Sequence, residues 1–60
     1  MRGIAMSESI RVELELEKDG RWIGEAVDLP GVLAYGSTRE EAKAGTIVLA
    51  QEVLLEQTEN

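Results

Sequence analysis

The stretch IRVELELEKDGRWIGEAV, residues 10–27, decides the fold of this 60-residue chain. Its first eight residues alternate apolar and charged side chains, and this period of two predicts a strand with one buried and one exposed face. Asp19-Gly20 follows, and this dipeptide is a strong hairpin signal because tight hairpin turns need residues that accept a positive φ. A second strand is therefore predicted from about Trp22 to Val27.

Two registers of this hairpin are compatible with the sequence. A two-residue turn would direct Ile23 and Val27 toward the core, whereas a bulged three-residue turn would direct Trp22, Gly24 and Ala26 inward. The second register is slightly favoured, because Gly24 and Ala26 would let a helix approach the sheet closely while Trp22 covers one edge.

The rest of the chain predicts a third strand and a helix. Pro30-Gly31 favours a type II turn, and residues 32–35 form a short strand that ends at Gly36. Ser37 and Thr38 each precede an acidic residue three positions later, which is the capping-box arrangement, and Ser37 is interpreted as a helix cap. The helix is predicted from residue 38 or 39 to residue 56 or 57.

The predicted fold class is α+β, with a three-stranded antiparallel meander packed against one C-terminal helix in the order β-β-β-α. Residues 1–60 are expected to form a single domain, of which residues 1–8 are a flexible N-terminal extension.

Composition argues against catalysis. The chain contains no histidine and no cysteine, so the usual general bases and thiol nucleophiles are missing. A divalent-metal hydrolase built on Glu13, Glu15 and Asp28 is a weaker alternative, because alternating carboxylates typically form a solvated strand face and an Asp beside a turn commonly bonds the turn amides. We therefore expect a protein that is not an enzyme and that uses no cofactor and no metal.

The charge balance indicates the kind of partner. Twelve acidic residues oppose six basic ones, which gives a net charge of −6. This charge disfavours contact with a phosphate backbone and favours a basic protein surface. No stretch approaches the roughly 20 apolar residues needed to span a bilayer, and the N-terminus lacks the apolar segment of a signal peptide, so the chain is expected to be soluble and cytoplasmic.

The predicted helix carries more apolar residues than one sheet can cover. A helix on one face of a sheet needs an apolar arc of about 100°, and the second half of this helix exceeds it. A domain of this size also has a thin stability margin, so we expect a homodimer or higher homo-oligomer, or a partner protein, to cover the surplus. The candidate interface residues are Glu13, Glu15, Trp22, Tyr35, Ile47, Val48, Val53, Leu54 and Leu55.

Several motifs together resemble the HicB-like antitoxin family. Asp19-Gly20 before an aromatic residue, DLPG at residues 28–31 and YGSTREEA at residues 35–42 carry the likeness, which covers about Ile10 to Glu56. The resemblance implies a partial RNase-H-like fold without the acidic catalytic cluster of true nucleases. It also implies a non-catalytic module that binds and masks a small basic mRNA-cleaving toxin of the HicA type.

The chain departs from that family's pattern after the helix. The sequence reaches Asn60 without the family's usual fourth strand or a DNA-binding segment, so we expect no direct nucleic-acid binding by this chain. The sheet edge is expected to be completed by a second subunit or left short. The alternative function is a stand-alone homo-oligomeric domain that has lost toxin and DNA binding.

Overall fold

A computed structural model describes residues 2–7 and 10–58 of the chain. These residues form a four-stranded antiparallel sheet, in the order β1-β2-β3-β4, and one helix that follows it in sequence. The elements are β1 (Arg2–Ser7), β2 (Ile10–Leu16), β3 (Trp22–Ala26), β4 (Leu33–Gly36) and α1 (Arg39–Thr58). The α+β class, the antiparallel meander and the C-terminal helix are confirmed, and the sheet has one strand more than predicted.

The additional strand corrects the expectation of a flexible N-terminal extension. β1 runs antiparallel to β2, with pairings from Arg2 opposite Glu15 to Ser7 opposite Ile10. The sequence RGIAMS has no apolar-polar alternation, so its strand conformation comes from pairing with β2 and not from local pattern. The edge of β2 is thus completed by the same chain and not by a second subunit. Met1 and Glu8, the other members of the predicted extension, lie outside the described residues.

The β2–β3 hairpin adopts the bulged register. Its loop is closed by the N–H of Glu17, which donates to the carbonyl of Arg21 at 2.7 Å, and by the N–H of Gly20, which donates to the carbonyl of Glu17 at 3.0 Å. Gly20 has a φ of 90°, which an L side chain rarely adopts. The preferred register is therefore confirmed, with the pairs Leu16↔Trp22, Leu14↔Gly24 and Val12↔Ala26.

The turn between β3 and β4 has the expected type II character. The N–H of Val32 donates to the carbonyl of Leu29 at 3.0 Å, and Gly31, the third residue of the turn, has a φ of 88°. A positive φ at this position is what the type II turn requires. The chain therefore reverses at Pro30-Gly31 and returns as β4.

The cap of α1 is Thr38 and not Ser37. The N–H of Glu41 donates to the Thr38 hydroxyl at 3.1 Å, and the N–H of Ser37 donates to the Glu41 carboxylate at 2.9 Å. Because the helix begins at Arg39, Glu41 is its third residue, and the amide at that position is the one that reaches the side chain of the capping residue. The capping residue is thus one residue later than the Ser37 interpretation, and the returning bond of Glu41 is made to the N–H of Ser37, which precedes the cap.

The core lies between the sheet and α1, and the helix sits close to the strands. Among the described residues, the buried ones are Ile10, Val12, Leu14, Gly24, Ala26, Ala42, Thr46 and Ala50. The Thr46 hydroxyl donates to the carbonyl of Ala42 at 2.7 Å, so its burial leaves no unsatisfied polar atom. A β-carbon on Gly24 would meet both residues, which confirms that the small residues of β3 admit the helix.

Candidate protein-binding surface

The face of the sheet opposite α1 is uncovered by any element in the described part of the chain. Residues directly opposite each other in an antiparallel sheet project from the same face. Val12, Leu14 and Ala26 project toward the helix, so the alternate positions on β2 and β3 project away from it. Tyr35 and Leu33 of β4 also project away from the helix, because they lie opposite Ile23 and Glu25. We call the part of this surface on β2, β3 and β4 the open face: Arg11, Glu13, Glu15, Ile23, Glu25, Leu33 and Tyr35.

An apolar centre lies on the β3–β4 side of the open face. Ile23 is half-buried and lies opposite Tyr35, while Leu33 is 38% exposed and Tyr35 is 49% exposed. Ile23 and Tyr35, which are directly paired, have Cβ atoms about 5 Å apart, and Leu33 lies two residues from Tyr35 on the same face of β4, so the three are neighbours on this face. An aromatic ring at the centre of such a patch is the usual anchor of a protein interface.

Carboxylates border this apolar centre on the β2 side. Glu13 lies directly opposite Glu25, and Glu15 lies opposite Ile23. A shallow cavity of about 220 Å³ opens here, lined by Glu13, Glu25, Val27 and Pro30. The open face therefore combines an apolar patch with an acidic border.

Arg11 on β2 forms an ion pair with the carboxylate of Asp28 in the same chain. The Nη2 atom of Arg11 lies 2.8 Å from Oδ1 of Asp28, and its Nε atom lies 3.4 Å from Oδ2. This hydrogen bond, with the charge of the carboxylate, raises the pKa of Arg11. Asp28 was expected to bond the amides of its turn; instead its carboxylate accepts from Arg11, and the Leu29 amide donates to the carbonyl of Ala26.

Arg21 is neutralised in the same way and also contacts the apolar centre. Its Nε donates to Oδ2 of Asp19 at 2.7 Å, and its guanidinium carbon lies 4.5 Å from the centroid of the Tyr35 ring. The backbone N–H of Arg21, which donates to Oδ1 of Asp19 at 3.1 Å, lowers the pKa of Asp19, and the guanidinium adds to this effect. The positive charges of Arg11 and Arg21 are thus offset by Asp28 and Asp19, and the carboxylate of Glu25 remains exposed beside the apolar centre.

The predicted interface residues do not form one surface. Glu13, Glu15 and Tyr35 lie on the open face. Val48, 52% exposed, and Leu55, 65% exposed, lie seven residues apart on the side of α1 away from the sheet. The remaining four are on the core side of the helix or beside it: Trp22 and Ile47 pack against the core, Val53 is half-buried, and Leu54 lines a cleft of about 150 Å³ with Ile10 and Leu29.

Sequence reasoning missed Ile23, Glu25 and Leu33. Ile23 and Glu25 depend on the hairpin register, which the sequence left open. Leu33 belongs to a strand of four residues, which is too short to display a period. All three could have been identified from the contact of Gly24 with the helix. Because Gly24 faces the helix, its neighbours Ile23 and Glu25 must face the opposite side of the sheet, together with Leu33, which pairs with Glu25.

Comparisons with protein-family models, curated proteins and solved structures find no match to this chain. Within residues 2–7 and 10–58, no group of three or more acidic side chains is placed to hold a metal ion. The helix in this part of the chain is not long and apolar enough to cross a membrane.

Proposed function

We propose that this chain is a non-catalytic, antitoxin-like module whose open face binds and masks a small basic mRNA-cleaving toxin of the HicA type in the cytoplasm. The observation that carries the proposal is the pairing of an uncovered apolar centre with an acidic border on one sheet face. The likeness of residues 10–56 to the HicB-like family supplies the class of partner.

The two parts of the open face have different roles in this proposal. Glu15 and Glu25 attract a cationic surface and accelerate encounter, since complementary potentials raise association rates. Leu33 and Tyr35 are desolvated in the complex and slow its dissociation, because buried aromatic anchors dominate binding energy. Covering a basic RNA-binding surface in this way blocks the toxin's access to mRNA.

The proposal requires that a small basic protein be encoded beside this chain's gene, and the test uses that protein; a genome without such a neighbour contradicts the proposal. We expect a complex whose association rate falls as ionic strength rises, measured by biolayer interferometry at several salt concentrations. Absence of a complex with that protein, or a complex indifferent to salt, contradicts the proposal.

Two matched charge-reversal variants distinguish the effect of a charge on the open face from the effect of the net charge on binding. Glu25→Lys and Glu56→Lys each change the net charge from −6 to −4, because one negative charge becomes positive. Both residues are exposed, but Glu56 lies on α1. We expect Glu25→Lys to lower the association rate about tenfold and Glu56→Lys to have much less effect. Equal losses from the two variants contradict binding at the open face.

Tyr35 and Val48 provide the apolar comparison. They are exposed to similar extents, on the open face and on the far side of α1 respectively. Tyr35→Ala is expected to weaken the complex by about 2 kcal/mol, as for an interface anchor, while Val48→Ala leaves it unchanged.

A second candidate function is a stand-alone homo-oligomeric domain. Val48 and Leu55 favour it, because two exposed apolar side chains at this spacing form a stripe that a second copy could cover. Sedimentation equilibrium of the purified chain tests this function, and a stable monomer at micromolar concentration contradicts it.

A further inference from the structure

β4 is an edge strand with backbone groups that point away from the sheet. The N–H of Ala26 donates to the carbonyl of Val32 at 2.9 Å, which identifies the hydrogen-bonded positions of the β3–β4 pair. Such positions alternate along antiparallel strands, so Ala34 and Gly36 bond toward β3. The N–H and C=O groups of Leu33 and Tyr35 therefore point outward, and the edge presents four backbone groups.

This edge lacks the usual protection against pairing. Exposed edge strands commonly carry a charge, a proline or a bulge that discourages another strand. β4 has the sequence LAYG, with none of these, and it pairs with β3 alone among the described strands. Its outer side is thus a template for a further strand.

We propose that β4 pairs with β4 of a second copy of this chain, antiparallel about a twofold axis at Ala34. In this register Leu33 lies opposite the partner's Tyr35, and Tyr35 lies opposite the partner's Leu33. Each of the two pairs makes two backbone hydrogen bonds. All four outward backbone groups of each β4 are then hydrogen-bonded to the partner's β4, and the two sheets become one continuous sheet.

The position of α1 supports a second copy of this chain as the molecule that pairs with the outer edge of β4. Thr46 lies over Gly24 of β3, whereas a β-carbon on Gly45 would lie 3.2 Å from the Cβ of Ala34 in β4. The helix therefore lies above the space between these two strands. With strands about 4.8 Å apart, its axis is about one strand spacing from the twofold axis, so the two helices lie about 10 Å apart. Packed helices are separated by 8–10 Å.

The helix side that would meet its symmetry mate has suitable residues. Gly45 lies over Ala34 of β4, on the side of the helix toward the proposed axis. Leu49 follows one turn later on the same side and is 39% exposed in the single chain. One twofold axis thus pairs the strands and covers an apolar helix residue, which an unrelated strand at this edge would not do.

Self-association also extends the open face. Leu33 and Tyr35 of both copies would alternate across the axis on the same side of the sheet. The apolar centre of each copy then continues into that of its partner. This inference stands on the edge geometry and does not depend on which protein the open face binds.

Amide exchange of the unmodified chain tests the proposal directly. We expect sedimentation equilibrium to show a dimer at micromolar to hundreds of micromolar concentration. The amides of Leu33 and Tyr35 should exchange at least tenfold more slowly as the dimer fraction rises, because only the second copy bonds them. A chain that remains monomeric at hundreds of micromolar, or a dimer in which these two amides exchange freely, overturns the proposal.

Backbone N-methylation of a synthetic chain provides the perturbation. A methyl group on the Tyr35 nitrogen removes one outward donor and blocks the edge, while it leaves the β3–β4 bonds and the phenol ring in place. We expect this chain to be monomeric with an unchanged circular dichroism spectrum. N-methylation of Lys18, at a turn position that accepts proline, is the control and should remain dimeric. A dimeric N-methyl-Tyr35 chain overturns the proposal. Because this chain retains the side chains of the open face, its binding to the toxin can be measured independently of its dimerisation.

Discussion

Gly24 of β3 lies directly beneath Thr46 of α1. A β-carbon added to Gly24 would lie 2.5 Å from the Thr46 hydroxyl oxygen and 3.0 Å from the carbonyl oxygen of Ala42. The same hydroxyl donates to that carbonyl at 2.7 Å. The height of the helix above the sheet is therefore set by the absence of a side chain at position 24.

Gly24→Ala is expected to lower the free energy of unfolding by about 1–3 kcal/mol, because one of the obstructing atoms belongs to the helix backbone and the core must expand around the added methyl group. Urea denaturation measures the change. Gly3→Ala is the control, since a β-carbon there meets nothing within 4 Å, and its effect should stay within about 0.5 kcal/mol. Equal denaturation midpoints for the two variants would contradict the predicted overpacking.

Thr38→Ala is expected to cost about 1 kcal/mol of stability, because the amide of Glu41 loses its acceptor at the start of α1. Ser37→Ala should change stability little, since only the backbone N–H of Ser37 takes part in the cap among the described hydrogen bonds. Thermal unfolding followed by the circular dichroism of the helix compares the two variants with the parent chain. A larger loss for Ser37→Ala would show that the cap is one residue earlier.

Gly31→Ala is expected to destabilise the chain by about 1 kcal/mol or more, because its φ of 88° is unfavourable for a residue with a β-carbon. Gly31→Asn should cost less, since asparagine tolerates positive φ better than alanine does. No atom lies within 4 Å of a β-carbon at this position, so the difference between the two variants reports backbone conformation alone. Denaturant midpoints of the three chains give the comparison.

Asp19 is expected to titrate below its ordinary value of 3.8, because the Arg21 amide and guanidinium favour its ionised form. A carboxyl whose pKa is lower in the folded than in the unfolded state contributes stability above the unfolded value. That contribution is lost as pH falls through the folded value. NMR titration of the Asp19 side-chain carbon gives the midpoint, and Arg21→Gln should raise it. A midpoint above 3.8 in the parent chain would contradict the assignment.

The local sequence pattern was sufficient to predict β2, the register of the β2–β3 hairpin and the start of α1. The alternation in residues 10–17 predicted β2, and the glycine at position 24 favoured the correct hairpin register because only that register places it under a helix. The capping box predicted the start of α1 to within one residue. Choosing between Ser37 and Thr38 required the entry angle of the chain, which is set by the packing of Gly36 against Glu41 and Ala42.

The misses follow from tertiary context. Residues 2–7 have no alternation, and only the unsatisfied edge of β2 makes a strand of them. On the candidate site, Glu13, Glu15 and Tyr35 were singled out from sequence, but their apolar neighbours Ile23 and Leu33 depend on pairings between strands. The exposed stripe of Val48 and Leu55 was anticipated from the width of the apolar arc, and its role as an interface remains a prediction.

Each strand of the sheet pairs with the strand that precedes it in the sequence. During synthesis on the ribosome, every new strand therefore finds its neighbour already made, and contacts this local are the kind associated with fast folding. The inner face of the nascent sheet nevertheless stays bare, with Val12 and Leu14 in water, until α1 has emerged. Commitment to the folded state must wait for the helix, so the chain is most prone to aggregation while its strands are paired and α1 is not yet packed on them.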